Sequence, residues 1–167
     1  MDPVRVLVVY DSLTGNVEAM ANAVAEGVIE TCGVVDVRLT SDVELDTVPT
    51  YDAYAFGSPT HCGTMSIKMN EFFNRDLHSR YWGKLMYKVA TAFTSSGGLG
   101  GGNEMTLWAM LSTILNFGMI TFGIPDYVSK DVTLHYGPVA IKKPDEHALK
   151  ACRLLGRRLV EHIKVIK

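Results

Sequence analysis

The stretch "VRVLVVYDSLTGNVEAMANAVAEGV", residues 4–28, decides the fold of this chain. Its first part, residues 4–10, is a near-continuous apolar run, the pattern of a strand buried on both faces of a sheet. From residue 15 the period changes. Val17, Met20, Ala21, Val24 and Val28 fall on one side of a helix, and Glu18, Asn22, Glu26 and Glu30 face away. Gly33 is expected to end that helix in the left-handed conformation that glycine favours after a last turn. Between strand and helix lies "DSLTGN", residues 11–16, with two hydroxyls, a glycine and an asparagine but no Lys or Arg.

The alternation continues downstream. "VVDVRL", residues 34–39, alternates and reads as a strand with one wetter face. "AYAFG", residues 53–57, is a short buried strand, after which Met65, Met69, Phe72 and Phe73 recur at helical spacing. "KVATAFT", residues 88–94, is a fourth strand. The helix after it places Leu107, Trp108, Leu111, Ile114 and Leu115 on one face and stops at Gly118. "MITFG", residues 119–123, supplies a fifth strand, and residues 124–143 read as irregular. The last helix begins near Pro144, Asp145 and Glu146 and carries Leu149, Cys152, Leu155, Leu159 and Ile163 on its apolar side. Strand and helix in alternation predict an α/β domain over residues 1–167 with a mostly parallel sheet.

Composition narrows the function. The 167 residues are 47% apolar and 20% charged, enough for one domain with a real core. A net charge of −2 offers no electrostatic footprint for nucleic acid and no polybasic membrane patch. The longest uncharged run, residues 105–125, is no membrane span, because Thr106, Ser112, Thr113, Asn116, Gly118, Thr121 and Gly123 interrupt it. The start, "MDPVRVLVVY", carries an acid at position 2 and lacks the pattern of a secretory leader. Cys32, Cys62 and Cys152 are odd in number and lack C-x-x-C spacing, which argues against a disulfide framework or a zinc site. No metal site is read, and a reducing cytoplasm is the expected compartment.

Three loops fall where strands end: residues 11–16, 58–64 and 95–103. Ligands of parallel α/β sheets bind beyond that edge. In the first loop Ser12 and Thr14 offer donors, Gly15 allows close backbone approach, and Asn16 can donate or cap. A helix start there adds free N–H groups and about half a positive charge, which suits a phosphate; a plain capped turn has the same composition. The nucleotide-triphosphate loop pattern with its Lys is absent. In the second, "GSPTHCGTMS", Pro59 stiffens the chain, Gly63 permits an unusual backbone angle, and Thr60 and Thr64 carry donors. His61 and Cys62 at its tip are either groups that tune a redox ring or packing and solvent-facing residues, with no neighbouring carboxylate to orient the His. The third, "TSSGGLGGGNE", fails the dinucleotide fingerprint because Asn103 stands where a glycine is required. It reads as a backbone wall along a flat ligand, or as a mobile surface loop.

"YDSLTGNVEAMANAVAEGV", "FGSPTHCGTMSIKMNEFF", "AFTSSGGLGGGNEMTLWAML" and "NFGM" together resemble the flavodoxin superfamily over essentially the whole chain. They are most similar to its tryptophan-repressor-binding-protein branch, the NAD(P)H:quinone oxidoreductases. The resemblance implies a flavodoxin-like three-layer sandwich, a five-stranded parallel sheet in order 2-1-3-4-5 and one non-covalent FMN. By that resemblance the FMN phosphate sits on Ser12, Leu13, Thr14, Gly15, Asn16 and Val17. Pro59, Thr60, His61, Cys62, Gly63 and Thr64 flank the isoalloxazine, and Ser95, Ser96, Gly97, Gly98 and Gly101 line its other side and the ribityl chain. The branch's aromatic that reaches a neighbouring subunit's flavin is closest here to Trp82, which is equally read as a structural tryptophan. Where the branch has a His pair before "GM", this chain has Asn116 and Phe117.

No catalytic side chain is assigned, since a flavin carries the redox chemistry and the protein binds and orients it. The main expectation is an NAD(P)H-dependent oxidoreductase of the quinone reductase type, acting on NAD(P)H and a small acceptor such as a quinone. The alternative is a one-electron carrier between redox protein partners; a scaffold that has lost FMN is the third reading. The second and third loops contain no aromatic residue to stack on a flavin, and the charge of −2 gives little steering toward a basic partner, both of which favour the enzyme. A homo-oligomer, dimer or tetramer, is expected.

Overall fold

A computed structural model describes residues 2–125 and 127–167, and for Tyr127 the backbone alone. In chain order the elements are β1 (Arg5–Tyr10), α1 (Asn16–Glu30), β2 (Val34–Leu39), β3 (Ala53–His61), β4 (Thr64–Met65), α2 (Ile67–Glu71) and, after a π-helical turn at Phe72–Leu77, α3 (His78–Tyr81). There follow β5 (Val89–Ser96), α4 (Asn103–Asn116), β6 (Ile120–Thr121), β7 (Tyr127–Ser129), β8 (Val132–Thr133), β9 (Val139–Ile141) and α5 (Glu146–Ile166). The main sheet runs β2-β1-β3-β5-β6, with every pair along that path parallel. This is the 2-1-3-4-5 order that the resemblance implies, and the parallel sheet that the alternation predicts.

The strands bury both faces because helices cover both. Val6, Val8 and Tyr10 of β1 join the core formed with α1 and α5, while Leu7 and Val9 point into the opposite core, with Met69, Phe72, Phe73, Leu107 and Met110. Helices α1 and α5 touch through glycines. A Cβ on Gly27 would lie 1.9 Å from the Arg153 carbonyl oxygen, and one on Gly156 would lie 2.0 Å from that of Val24. The backbones therefore meet at a distance that no side chain permits.

The fifth row of the sheet departs from expectation. β6 pairs only with residues 89–90 at the start of β5, and β9 completes the row by pairing in parallel with residues 94–96 at its end. The segment expected to be irregular thus contains the β7–β8 antiparallel hairpin and a sheet strand; position 126 lies outside the described residues. The chain leaves the sheet at Gly123, where a Cβ would meet the His135 carbonyl oxygen at 2.0 Å, and at Pro125, which has no N–H for a ladder. It returns at Gly137 (φ 140°), where a Cβ would meet the Ala92 carbonyl oxygen at 2.3 Å.

Smaller corrections are local. The left-handed residue after α1 is Cys32 (φ 62°), not Gly33. The Cys32 and Gly33 N–H groups bond back to Ile29 and Val28 carbonyls at 3.0 Å, a Schellman ending; Gly33 is required because a Cβ there would meet the Val28 and Val160 side chains. In α4 the buried face is Leu107, Met110, Leu111 and Ile114, whereas Trp108 and Leu115 are half exposed. Trp108 lies one position round the helix from Leu107 and packs on Tyr136 instead, ring centroids 5.4 Å apart. Met65 belongs to β4 rather than to the helix that follows it.

Candidate functional site

At the carboxyl ends of β1, β3 and β5 the three loops enclose a cavity of about 370 Å³, within the range of small-ligand sites. Ser12, Leu13, Thr14, Asn16 and Val17 form one wall of it. Pro59, Thr60 and His61 form a second, and Ser95, Ser96 and Gly97 a third. The structure thus brings together members of all three sequence-derived groups.

The other candidates shape these walls from outside the cavity. Gly15 takes φ 80° and turns the chain into α1. Cys62 (φ 52°) and Gly63 (φ 75°) form the two-residue turn of the β3–β4 hairpin, in which His61 pairs with Thr64. Both conformations are left-handed, as a tight hairpin demands, and the Cys62 thiol is exposed at the tip. Gly98 accepts from the Ser96 hydroxyl at 2.9 Å and from the Gly101 N–H at 3.2 Å, closing the third loop on itself.

The residue before α1 is Gly15, and no side chain caps the helix start. Elsewhere the chain does cap: the Ser66 hydroxyl accepts from the Met69 N–H at 3.2 Å, and the Asp145 carboxylate accepts from the Ala148 N–H at 2.8 Å. Ser12 Oγ is buried and has no hydrogen-bond partner among the described residues. A buried hydroxyl without a partner costs about 1–3 kcal/mol, and a helix start without a cap leaves N–H donors unmet. An anion in the cavity would meet the helix N–H groups, and the Ser12 hydroxyl if its side chain turned toward it. The start of α4, after Gly102 (φ 91°), also has no side-chain cap and borders the third loop.

A hydrogen-bond chain fixes the second loop against the third. Thr94 donates to the Ser58 carbonyl at 2.7 Å, and the Thr60 hydroxyl lies 3.0 Å from that of Thr94 and 3.1 Å from Asn103 Oδ1. Asn103 Nδ2 donates to Ser96 Oγ at 2.9 Å. The two loops also touch directly: a Cβ on Gly102 would stand 2.9 Å from Gly63 Cα. Asn103, the residue that spoils the glycine fingerprint, is therefore the buried bridge between the loops. Beneath the first loop the Tyr10 hydroxyl donates to Glu18 at 3.3 Å, and burial, then the Glu18 carboxylate, raises its pKa. The sequence reading missed Lys142, which lines the same cavity. Its signal was hidden because β9, which it follows, was not legible.

Two positions singled out by the resemblance lie elsewhere. Trp82 precedes β5 and packs edge-on against Phe117, centroids 5.6 Å apart, at the amino-terminal edge of the sheet. Phe117 is buried just before β6, so the place of the missing His pair is also remote from this chain's own cavity. Among the described residues no helix is long and apolar enough to cross a membrane, and no group of His, Cys, Asp or Glu could hold a metal ion.

Comparison with known proteins gives one answer. The family model described as Flavodoxin matches residues 8–103. A flavodoxin of Aquifex aeolicus is 45% identical over 164 residues, covering 96% of this chain and 88% of that protein. An NAD(P)H dehydrogenase (quinone) of Afipia carboxidovorans is 33% identical over 195 aligned positions, covering 96% of this chain and 97% of the other. Among solved structures, a WrbA-like flavodoxin from Agrobacterium tumefaciens superposes with a TM-score of 0.78 at 26% identity, covering 98% of this chain and 99% of that one. The chain belongs to the flavodoxin family, whose cofactor is FMN.

Proposed function

We propose that this member of the flavodoxin family is an oxidoreductase that takes electrons from NAD(P)H and passes them, through FMN, to a small acceptor of the quinone class. That it is an FMN-binding redox protein follows from its family. The finer reading rests on one observation: among the described residues no Phe, Tyr or Trp lines the cavity, so a flat ligand there would keep a face open to a second small molecule. Relatives called NAD(P)H dehydrogenase (quinone) support it.

The residues present fit FMN. Ser12 and Thr14, with the uncapped N–H groups at the start of α1, would hold the phosphate without a cationic loop residue. Leu13, Gly15, Asn16 and Val17 would complete that end. Pro59, Thr60, His61, Cys62, Gly63 and Thr64 would border one edge of the ring, and Ser95, Ser96, Gly97, Gly98 and Gly101 the other edge and the ribityl chain. FMN would supply both one- and two-electron chemistry. The chain's own part is to orient the ring and to offer backbone N–H groups toward the charge that reduction adds. NAD(P)H gives up two electrons and a proton; a quinone takes up two electrons and two protons, the second from solvent.

Anaerobic mixing of FMN-loaded protein with NADH or NADPH tests this. Loss of the oxidised flavin's visible absorbance within seconds, restored by a quinone, is expected. A flavin that stays oxidised with both nucleotides contradicts it. The 45% identity to a protein called flavodoxin favours a second reading, a one-electron carrier between proteins. That reading predicts reduction in two well-separated one-electron steps and no direct reaction with NAD(P)H.

A further inference from the structure

The first loop contains no Lys or Arg, yet the fold brings a cation from far along the chain to the cavity that this loop shares with the other two. Lys142 lines the cavity together with Ser12, Leu13 and Thr14. It is the sole Lys or Arg among the described residues that do so. Its side chain has no ion-pair or hydrogen-bond partner among the described residues. Lys68, the other cation near this loop, already pairs with Asp11 at 3.8 Å and lies outside the cavity wall.

The backbone places Lys142 with some insistence. It follows β9 directly, and its N–H donates to the Ser96 carbonyl at 2.6 Å, extending the ladder by which Ile141 pairs with Ser96. Its φ is +60°, a left-handed conformation in which glycine would be unstrained. The connection from β9 leads into α5, and α5 packs on α1 through Gly27 and Gly156. Lys142 lines the same cavity as Asn16 and Val17, the first residues of α1.

We propose that the Lys142 ammonium supplies the counter-charge for the flavin phosphate, so that the site selects phosphorylated over unphosphorylated flavin. This rests on the FMN reading above and adds a residue to it. A phosphate monoester carries close to two negative charges at neutral pH, and a helix start offers about half a positive one. Hydroxyls and N–H groups satisfy its oxygens but leave net charge uncompensated. A lysine at the rim reduces that deficit and is partly screened by salt, being solvent-exposed.

Equilibrium titration of apoprotein with FMN and with riboflavin, followed by quenching of flavin fluorescence, tests the assignment. Wild type and Lys142→Gln are compared at low and high salt, with Lys142→Gly as a variant that removes the charge while relieving the backbone. Both variants are expected to bind FMN about 10-fold more weakly at low salt, to bind riboflavin as wild type does, and to lose part of the salt dependence. Equal losses for FMN and riboflavin, or unchanged FMN affinity in both variants, overturn the inference while leaving FMN binding intact. A wild-type chain that takes up no FMN overturns the parent reading and this one with it.

Discussion

Asn103 shows how one side chain decides whether two loops act as one site. Its amide joins Thr60 of the second loop to Ser96 of the third, and it is buried. Removing it strands polar partners without access to water, which costs about 1–3 kcal/mol. Asn103→Ala should therefore lower unfolding free energy by that amount and weaken FMN binding by about 10-fold. Denaturant unfolding and flavin titration measure the two effects; full stability with full affinity would show that the bridge does not position the loops. At this scale the sequence was half legible. Ser12 and Thr14 announced themselves by their place between strand and helix, whereas Asn103 was noted only for breaking a glycine pattern and its bridging role was missed. Lys142 announced nothing, because its importance depends on a strand register that local composition does not encode.

At the scale of elements, period and burial carried the reading. β1, β2, α1 and α5 were plain in the spacing of their apolar residues. The failures share a cause: tertiary contact overrode a local preference. Gly33 was read as the left-handed residue, but the surrounding Val28 and Val160 exclude a side chain there and the turn falls on Cys32. β9 has three residues and no periodicity to detect, and exists because β5 offers an unpaired edge. The small residues of the α1–α5 contact looked like ordinary helix filler, yet they set the distance between the helices. Gly156→Ala should force them apart and lower stability by about 2–3 kcal/mol, the cost of overpacking a closely packed contact. Thermal or denaturant unfolding checks it; a gain in stability, the usual outcome for alanine in an exposed helix, would mean that the contact is looser than the structure shows.

For the whole molecule, function comes from which edge of the sheet each loop reaches. Parallel order 2-1-3-4-5 puts the ends of β1, β3 and β5 side by side, so residues more than eighty positions apart share one cavity. That convergence was legible as three loops after three strands, before any contact was known. The same topology sends Trp82, Asn116 and Phe117 to the opposite edge, so what they do for the molecule is not exerted on the cavity of their own chain.

The proposed phosphate site is the turn after β1, with its hydroxyls and helix N–H groups. Fluorescence titration of FMN against wild type and Thr14→Asp tests it most directly. The wild type should bind one FMN per chain, and the added carboxylate should weaken that affinity by about 100-fold or more, roughly 2.8 kcal/mol of charge repulsion. An FMN affinity that the aspartate leaves unchanged would contradict the account.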